Sequence, residues 1–91
     1  MDFSKPSAPQ LVLCDPNRPI RDAVSLSQTT LRKSGVRLEV QLGEQLPECL
    51  IDPTRIEEVV LNLITNAAEA LKTVEGGKTI RIASAFRPGF A

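Results

Sequence analysis

The amino-acid sequence predicts an α/β fold, a two-layer sandwich in which a mixed sheet carries its helices on one face. The stretch Ile56 to Leu71, IEEVVLNLITNAAEAL, repeats apolar residues at the spacing of one helix face. Val36 to Leu42 alternates apolar and polar residues, which indicates a strand with one buried face. The predicted elements follow in the order β-α-β-β-α-β, and right-handed crossovers would place both helices on the same side of the sheet.

The first half of the chain predicts a short strand, a turn and a helix. Leu11 to Cys14 is a brief apolar run, and Asp15-Pro16-Asn17 follows it as a turn. We expect Asn17 to cap a helix that tolerates Pro19 in its first turn and continues to about Ser34. Gly35 supplies the left-handed stop. The apolar stripe of this helix consists of Ile20, Ala23, Val24 and Leu31.

The second half predicts a short strand, the long helix and a final strand. After a turn, Cys49 to Ile51 is apolar enough to pair as a strand. Asp52 is the expected cap of the long helix, with Pro53 at the first helical position, where a missing N–H costs nothing. We expect this helix to be buried over most of its circumference and to end by Gly76-Gly77. Lys78 to Phe86 is then predicted as a strand. Its buried face would consist of Ile80, Ile82 and Phe86.

Composition excludes several classes of function. Ninety-one residues suffice for one small domain, and eleven basic residues balance eleven acidic ones. We therefore expect no nucleic-acid partner and no membrane contact, since no run approaches the ~20 apolar residues of a bilayer span. The absence of His excludes His-based triads, His metal sites and a phosphoacceptor histidine within these residues. Cys14 and Cys49 are too few for a zinc site, and we expect both to be buried thiols in a reducing cytosol.

Two amides interrupt the apolar pattern of the long helix. Asn62 and Asn66 are four residues apart, so they lie on one face, beside the apolar stripe. Asn is a poor residue for a helix interior, because its amide competes with the backbone. One explanation is that each amide is partly exposed or satisfies a neighbouring loop. The other is a ligand, because an amide oxygen suits Mg²⁺ alongside phosphate oxygens.

The segment NLITNAAEAL resembles the N box of the GHKL ATP-binding fold in the version carried by sensor histidine kinases. The resemblance implies Mg-ATP as the cofactor and assigns the ATP and phosphate contacts to Asn62, Asn66 and Ala70, with Asn66 as the metal ligand. ATP-hydrolysing branches of the fold carry Glu where Asn62 stands, as the general base for water. An amide cannot take up that proton, so the resemblance implies phosphate transfer rather than hydrolysis. Many of the kinases have a phosphate-contacting Lys where this chain has Glu69.

The resemblance also implies an order of segments. DFSKP resembles the chain that leaves the dimerisation helices of these kinases, although an ordinary flexible terminus would look the same. LPECLID matches the LP-x-x-x-x-D segment that precedes the N box. We therefore assign residues 1–10 to a linker and residues 11–91 to a partial GHKL domain. The sequence contains no adenine-reading D-x-G-x-G box and no glycine-rich lid, so we expect the chain alone to be inactive.

Two functions follow as hypotheses. In the first, the chain is part of the catalytic domain of a cytoplasmic two-component sensor histidine kinase. Its partners would then be ATP, the kinase's dimerisation domain, which carries the phosphorylated His, and a response regulator. In the second, it is a degenerate half-domain that serves as an interaction module without binding nucleotide. We also expect the chain, as a small domain with an unpaired sheet edge, to self-associate by strand pairing or by exchange of a terminal segment.

Overall fold

The computed structural model describes residues 8–86, which contain four strands and two helices. The strands are β1 (Val12–Cys14), β2 (Val36–Leu42), β3 (Cys49–Ile51) and β4 (Lys78–Ser84). The helices are α1 (Asn17–Lys33) and α2 (Pro53–Ala70). The predicted β-α-β-β-α-β order is confirmed. Most of the linker predicted for residues 1–10 lies outside the described residues.

The four strands are paired non-locally, as two two-stranded sheets. β1 runs antiparallel to β3, with Val12 opposite Ile51. β2 runs parallel to β4, with Val36 opposite Lys78 and Leu42 opposite Ser84. The α/β prediction with parallel and antiparallel pairing is confirmed, and the structure adds that the two kinds of pairing belong to separate sheets in the described part of the chain.

The hydrophobic core lies between the two helices and the β2–β4 pair. Leu31 of α1, Val36 of β2, Ile64 of α2 and Ile80 of β4 form its buried centre. α1 packs against α2 and β2, and α2 also contacts β4. Burial of such side chains stabilises the fold by about 1.5–3 kcal/mol each. The partly buried residues around this centre are Leu38, Val60, Ala67, Ala68, Leu71 and Ile82.

The start of α1 corrects the prediction that Asn17 is its cap. Pro16 occupies the cap position and makes no capping hydrogen bond, while Asp15 Oδ1 accepts from the backbone N–H of Asn17 at 2.9 Å. The Asn17 side chain is instead buried, with 2% of its surface exposed. Its Nδ2 donates to the carbonyl of Gly43 at 2.8 Å, and its Oδ1 accepts from Ser84 Oγ at 2.6 Å. This amide therefore joins the start of α1 to the ends of β2 and β4.

In the second half of the chain, the start of α2 agrees with the sequence prediction and the end of β4 does not. Asp52 caps α2 as expected, because its side chain accepts from the backbone N–H of Arg55 at 3.2 Å. The helix ends at Ala70, within the predicted limit of Gly76-Gly77, and the N–H of Lys72 then bonds the carbonyl of Glu69 and tightens the chain into a turn. β4 ends at Ser84, and Phe86 lies exposed beyond it, because its partner β2 ends opposite Ser84.

Candidate functional site

The candidate site is the outward face of α2. Asn62, Asn66 and Ala70 are spaced four residues apart within this single helix, so they follow one another along consecutive turns. All three residues are exposed. The opposite side of α2 carries Ile64, whose burial against α1 and β4 fixes the rotation of the helix. Packing of the apolar stripe thus presents the three predicted site residues to solvent together.

The two amides of this face are available to a ligand. Neither Asn62 nor Asn66 makes a side-chain hydrogen bond to another residue between 8 and 86. Each amide therefore keeps one acceptor oxygen and two donor hydrogens for other groups. Neutral amide oxygen is a hard ligand suited to Mg²⁺, which usually takes one or two protein ligands and completes its shell with phosphate and water. The donor chemistry of Asn66 therefore fits the metal that the N-box resemblance implies.

A ligand on this face would also meet apolar side chains. Val59 and Leu63 are 54% and 62% exposed, which corrects the expectation that α2 is buried over most of its circumference. The reason is that α1 and β4 cover α2 from one side, while the apolar stripe continues around the helix to the amide face. Val59 and Leu63 lie on the same side of α2 as the amides. The face therefore combines apolar surface with two amides that have no partner among residues 8–86.

One ion pair lies at the end of α2, between Glu69 and Lys72, which follows the helix. Lys72 Nζ lies 2.6 Å from a carboxylate oxygen of Glu69. The N-box resemblance would place a phosphate-contacting Lys at the position of Glu69. Both side chains are well exposed, so the ion pair is worth at most about 1 kcal/mol. The pair nevertheless offsets the charge of Glu69, which would otherwise repel an anionic ligand.

The start of α2 is held by a carboxylate that also anchors the N-terminal segment. The backbone N–H of Gln10 donates to Asp52 Oδ2 at 3.0 Å. This hydrogen bond, together with the N–H and the guanidinium of Arg55, lowers the pKa of Asp52 below its ordinary value of 3.8. Asp52 is therefore ionised at neutral pH and fixes where the site helix begins.

The cleft between α1 and α2 has no amide side chain in its lining. A cleft of about 360 Å³ lies between α1 and α2, with an apolar floor that includes Leu31, Leu61 and Ile64. Asn62 and Asn66 are not among the residues that line it. No group of three or more His, Cys, Asp or Glu side chains within residues 8–86 is arranged to hold a metal ion. The residues that the sequence predicted to bind a ligand therefore all lie on the outward face of α2.

The sequence did not predict that the two cysteines are neighbours. Cys14 of β1 and Cys49 of β3 are direct partners across the antiparallel pair. Cys14 is buried, as expected, while Cys49 is half-buried, and both are free thiols. The sequence offered no signal for this pairing, because a helix and another strand separate β1 from β3.

The relatives of this chain are sensor histidine kinases. The chain is 33% identical over 78 residues to the C4-dicarboxylate transport sensor protein DctS of Rhodobacter capsulatus, an alignment that covers 86% of the chain. It is 31% identical over 84 residues, or 92% of its length, to the sensor histidine kinase TmoS of Ectopseudomonas mendocina. The alignments cover 12% of DctS and 8% of TmoS, so the chain spans a small part of each relative.

The fold has a counterpart among solved structures. Histidine kinase ThkA, solved in complex with response regulator protein TrrA, superposes on 84% of the chain with a TM-score of 0.64 and 25% sequence identity. The match covers 22% of that kinase chain. No family model matches the sequence. Neither helix in residues 8–86 is long and apolar enough to cross a membrane.

Proposed function

We propose that the chain is part of the ATP-binding catalytic domain of a cytoplasmic sensor histidine kinase, with the GHKL fold. The observation that carries the proposal is the exposed pair Asn62 and Asn66, without side-chain partners in the described part of the chain, at the two N-box positions of a chain whose relatives are sensor histidine kinases. In this proposal, residues 11–91 form the first part of the domain and residues 1–10 the linker that precedes it.

Each residue of the amide face has a distinct role in this proposal. Asn66 would give its side-chain oxygen to Mg²⁺, and Asn62 would donate its amide hydrogens to phosphate oxygens. Ala70 would let the phosphates approach, since its side chain is a single methyl group. Mg²⁺ held by Asn66 would supply neutralisation of the phosphoryl charge, and the residues of the face would supply positioning; phosphoryl transfer depends mostly on these two effects. Because Asn62 cannot accept a proton from water, the face favours transfer over hydrolysis.

The residues of this chain supply only part of an ATP-binding site. A single amide provides one of about six Mg²⁺ ligands, and the sequence contains no D-x-G-x-G motif to read the adenine. We therefore propose that the 91-residue chain alone binds Mg-ATP no more tightly than about 1 mM, or roughly −4 kcal/mol. Titration with a non-hydrolysable ATP analogue measures this affinity. Binding at micromolar concentration would show that the described face is more complete than we propose.

The proposed partners follow from the class of the relatives. They are a dimerisation domain that carries the phosphorylated His and a response regulator that receives the phosphate on an Asp. The similarity to a kinase that was solved with a response regulator supports the second partner.

The test replaces the matching segment of DctS with residues 11–84 of this chain and follows labelling of the chimera by radioactive ATP. We expect phosphorylation of the chimera, and its loss in Asn66→Ala. Thr65→Ala is the matched control, because Thr65 is also exposed on α2 but lines the cleft between α1 and α2, which neither Asn62 nor Asn66 lines. Equal labelling of the Asn66→Ala and Thr65→Ala chimeras would remove Asn66 from the site.

We further propose that the chain self-associates, by pairing of β2 with β2 of a second copy. Within residues 8–86, β2 pairs only with β4, so its other edge offers unpaired backbone groups. Val40 of β2 is 39% exposed on the side of the strand that also carries the buried Val36. An added strand would cover this apolar side chain.

Charge selects one register for this pairing. A two-fold axis relates the two copies of β2 in a symmetric antiparallel pair. Residues directly opposite each other point to the same face, so the helices of both copies lie on one face of the joined sheet only if the axis passes between a residue and its own copy. An axis at Leu38 places Arg37 of each copy opposite Glu39 of the other copy, so the dimer contains two such pairs. A two-fold at Arg37 or at Glu39 would instead bring like charges together, which is destabilising. Leu38 is therefore the centre that the charges favour.

Charge reversal tests this register by analytical ultracentrifugation. We expect Arg37→Glu and Glu39→Arg each to weaken the homodimer about tenfold or more. An equimolar mixture of the two variants should form a heterodimer, because opposite charges then face each other again. Arg81→Glu is the matched control: it removes the ion pair of Glu39 with β4 at 3.1 Å without touching the β2 edge. Monomers in every sample, or a dimer indifferent to both reversals, would contradict the proposal.

A further inference from the structure

The pair of thiols between β1 and β3 is placed for chemistry that the kinase proposal does not use. Cys14 and Cys49 are exact register partners across an antiparallel strand pair. Direct partners in such a pair have Cα atoms about 4.5–5.5 Å apart and point their side chains to the same face. A disulfide needs a Cα separation of about 4.4–6.8 Å. The backbone of the two strands therefore already satisfies the distance that a disulfide requires.

Each of the two thiols makes a weak hydrogen bond to a nearby backbone carbonyl. Cys14 Sγ donates to the carbonyl of Asp15 at 3.3 Å, and Cys49 Sγ donates to the carbonyl of Pro47 at 3.5 Å. A thiol is a weak donor, so rotating both side chains towards each other sacrifices little. Cys49 is half-buried and accessible to a small oxidant, whereas Cys14 is 5% exposed. The accessible thiol and the sheltered thiol have the positions of a peroxide-reactive cysteine and its resolving partner.

We propose that Cys14 and Cys49 form a reversible, peroxide-responsive disulfide that fastens β1 to β3. The Cys49 sulfur attacks one oxygen of hydrogen peroxide, which breaks the O–O bond, releases water and leaves a sulfenic acid. The Cys14 sulfur then attacks the Cys49 sulfur, forms the S–S bond and expels a second water. Two thiols are oxidised and one peroxide is reduced. A dithiol reductant reverses the reaction by thiol–disulfide exchange.

The bond would stiffen the start of the site helix. β3 ends at Ile51, next to Asp52, which caps α2 and accepts from Gln10. The disulfide closes a loop that contains α1 and β2, which restricts the unfolded chain. For a domain of this size, we expect the oxidised chain to melt about 10 °C or more above the reduced chain. This effect does not depend on nucleotide binding or on self-association.

The experiment oxidises the reduced 91-residue chain with hydrogen peroxide at low protein concentration. We expect the count of free thiols to fall from two to none, with a monomeric product on non-reducing gels and full recovery in dithiothreitol. The matched control is the double variant Cys49→Ser, Leu50→Cys. It moves the thiol by one residue, to the opposite face of β3, where its register partner is Leu13. This control should form the internal disulfide at least about tenfold more slowly in native buffer, because its thiols face apart.

Other outcomes have defined meanings. If the wild-type chain gives only intermolecular disulfides or stable sulfinic acid, the proposal is wrong. It is also wrong if the shifted control closes as fast as the wild type, because register would then be irrelevant. In urea, where register is lost, both chains should close at similar rates, which checks that the control thiol is intrinsically reactive. Loss of ATP binding by the kinase chimera would leave all these results unchanged.

Discussion

Replacing Asn17 by Ala should weaken the fold more than any exposed polar substitution. The side chain is 2% exposed and makes two short hydrogen bonds, to Gly43 and Ser84. Each bond contributes about 1 kcal/mol net, and the carbonyl and hydroxyl left without a partner add about 1 kcal/mol or more. We expect a loss of about 2–4 kcal/mol. The total stability of a chain this size is only roughly 5–13 kcal/mol, so the loss is a large fraction.

Urea denaturation followed by far-UV circular dichroism measures this loss. Ser27→Ala is the matched control on the same helix, because Ser27 Oγ bonds only the local carbonyl of Val24, at 3.1 Å. A double-mutant cycle with Ser84→Ala should give a coupling energy of about 0.5 kcal/mol or more, as expected for residues in contact. If Asn17→Ala costs no more than Ser27→Ala, the buried amide does not join α1 to the strand ends in the way the distances indicate.

Three further substitutions probe separate features. Asn66→Ala should raise stability by about 0.5 kcal/mol, because Ala is the better helix former and the exposed amide has no partner to lose within residues 8–86; a lower melting temperature would contradict this. Because the folded pKa of Asp52 is lowered, its stabilisation is present above about pH 4 and is lost as the pH falls through the folded value. In Asp52→Asn, the free energy of unfolding should therefore change less with pH between about pH 5 and pH 2. Urea titrations at several pH values measure this dependence, and a pH dependence as steep as that of the wild type would refute the assignment. Gly43→Ala should cost about 1–3 kcal/mol, because a Cβ would lie 3.0 Å from the carbonyl oxygen of Ser84, whereas Gly77→Ala, with nothing within 4 Å, should cost far less in the same assay.

Local patterns predicted the elements of this chain well. The alternation of Val36 to Leu42 gave β2 with both of its ends, because one face of the strand packs against helices. Asp52 and Pro53 gave the start of α2, since a cap and a first-turn proline act within a few residues. These signals depend on backbone chemistry that is local in sequence, so tertiary contacts did not have to be known.

Features that depend on tertiary contacts were not predictable in the same way. The turn chemistry around Asn17 suggested a cap, but its amide binds Gly43 and Ser84, which are remote in sequence. The apolar positions Val59 and Leu63 looked buried because periodicity reveals which face is apolar and not how much of it is covered. The register that brings Cys14 to Cys49 depends on two strands that are not neighbours in sequence.

The site residues lie between these two cases. The spacing of Asn62 and Asn66 predicted that they share a helix face, and burial of Ile64 determines that this face is turned outward. Whether the amides hold Mg-ATP depends on groups that complete the metal shell and read the adenine. A helix face alone does not contain that information, which is why the nucleotide is a proposal to be tested by the Asn66→Ala chimera.

The parallel pairing of β2 with β4 has a consequence for the order in which the chain acquires its structure. Val36 lies opposite Lys78, so β3 and all of α2 must be synthesised before the two strands can pair. Local helix formation takes microseconds or less, whereas closing such a long connection delays the strand pair. During synthesis, β2 has no strand partner among residues 8–86 until β4, which begins at Lys78, has been added and has left the ribosome. The edge of β2 that later pairs with β4 is thus open to other chains while β3 and α2 are made, which is the interval in which a chaperone would act on it.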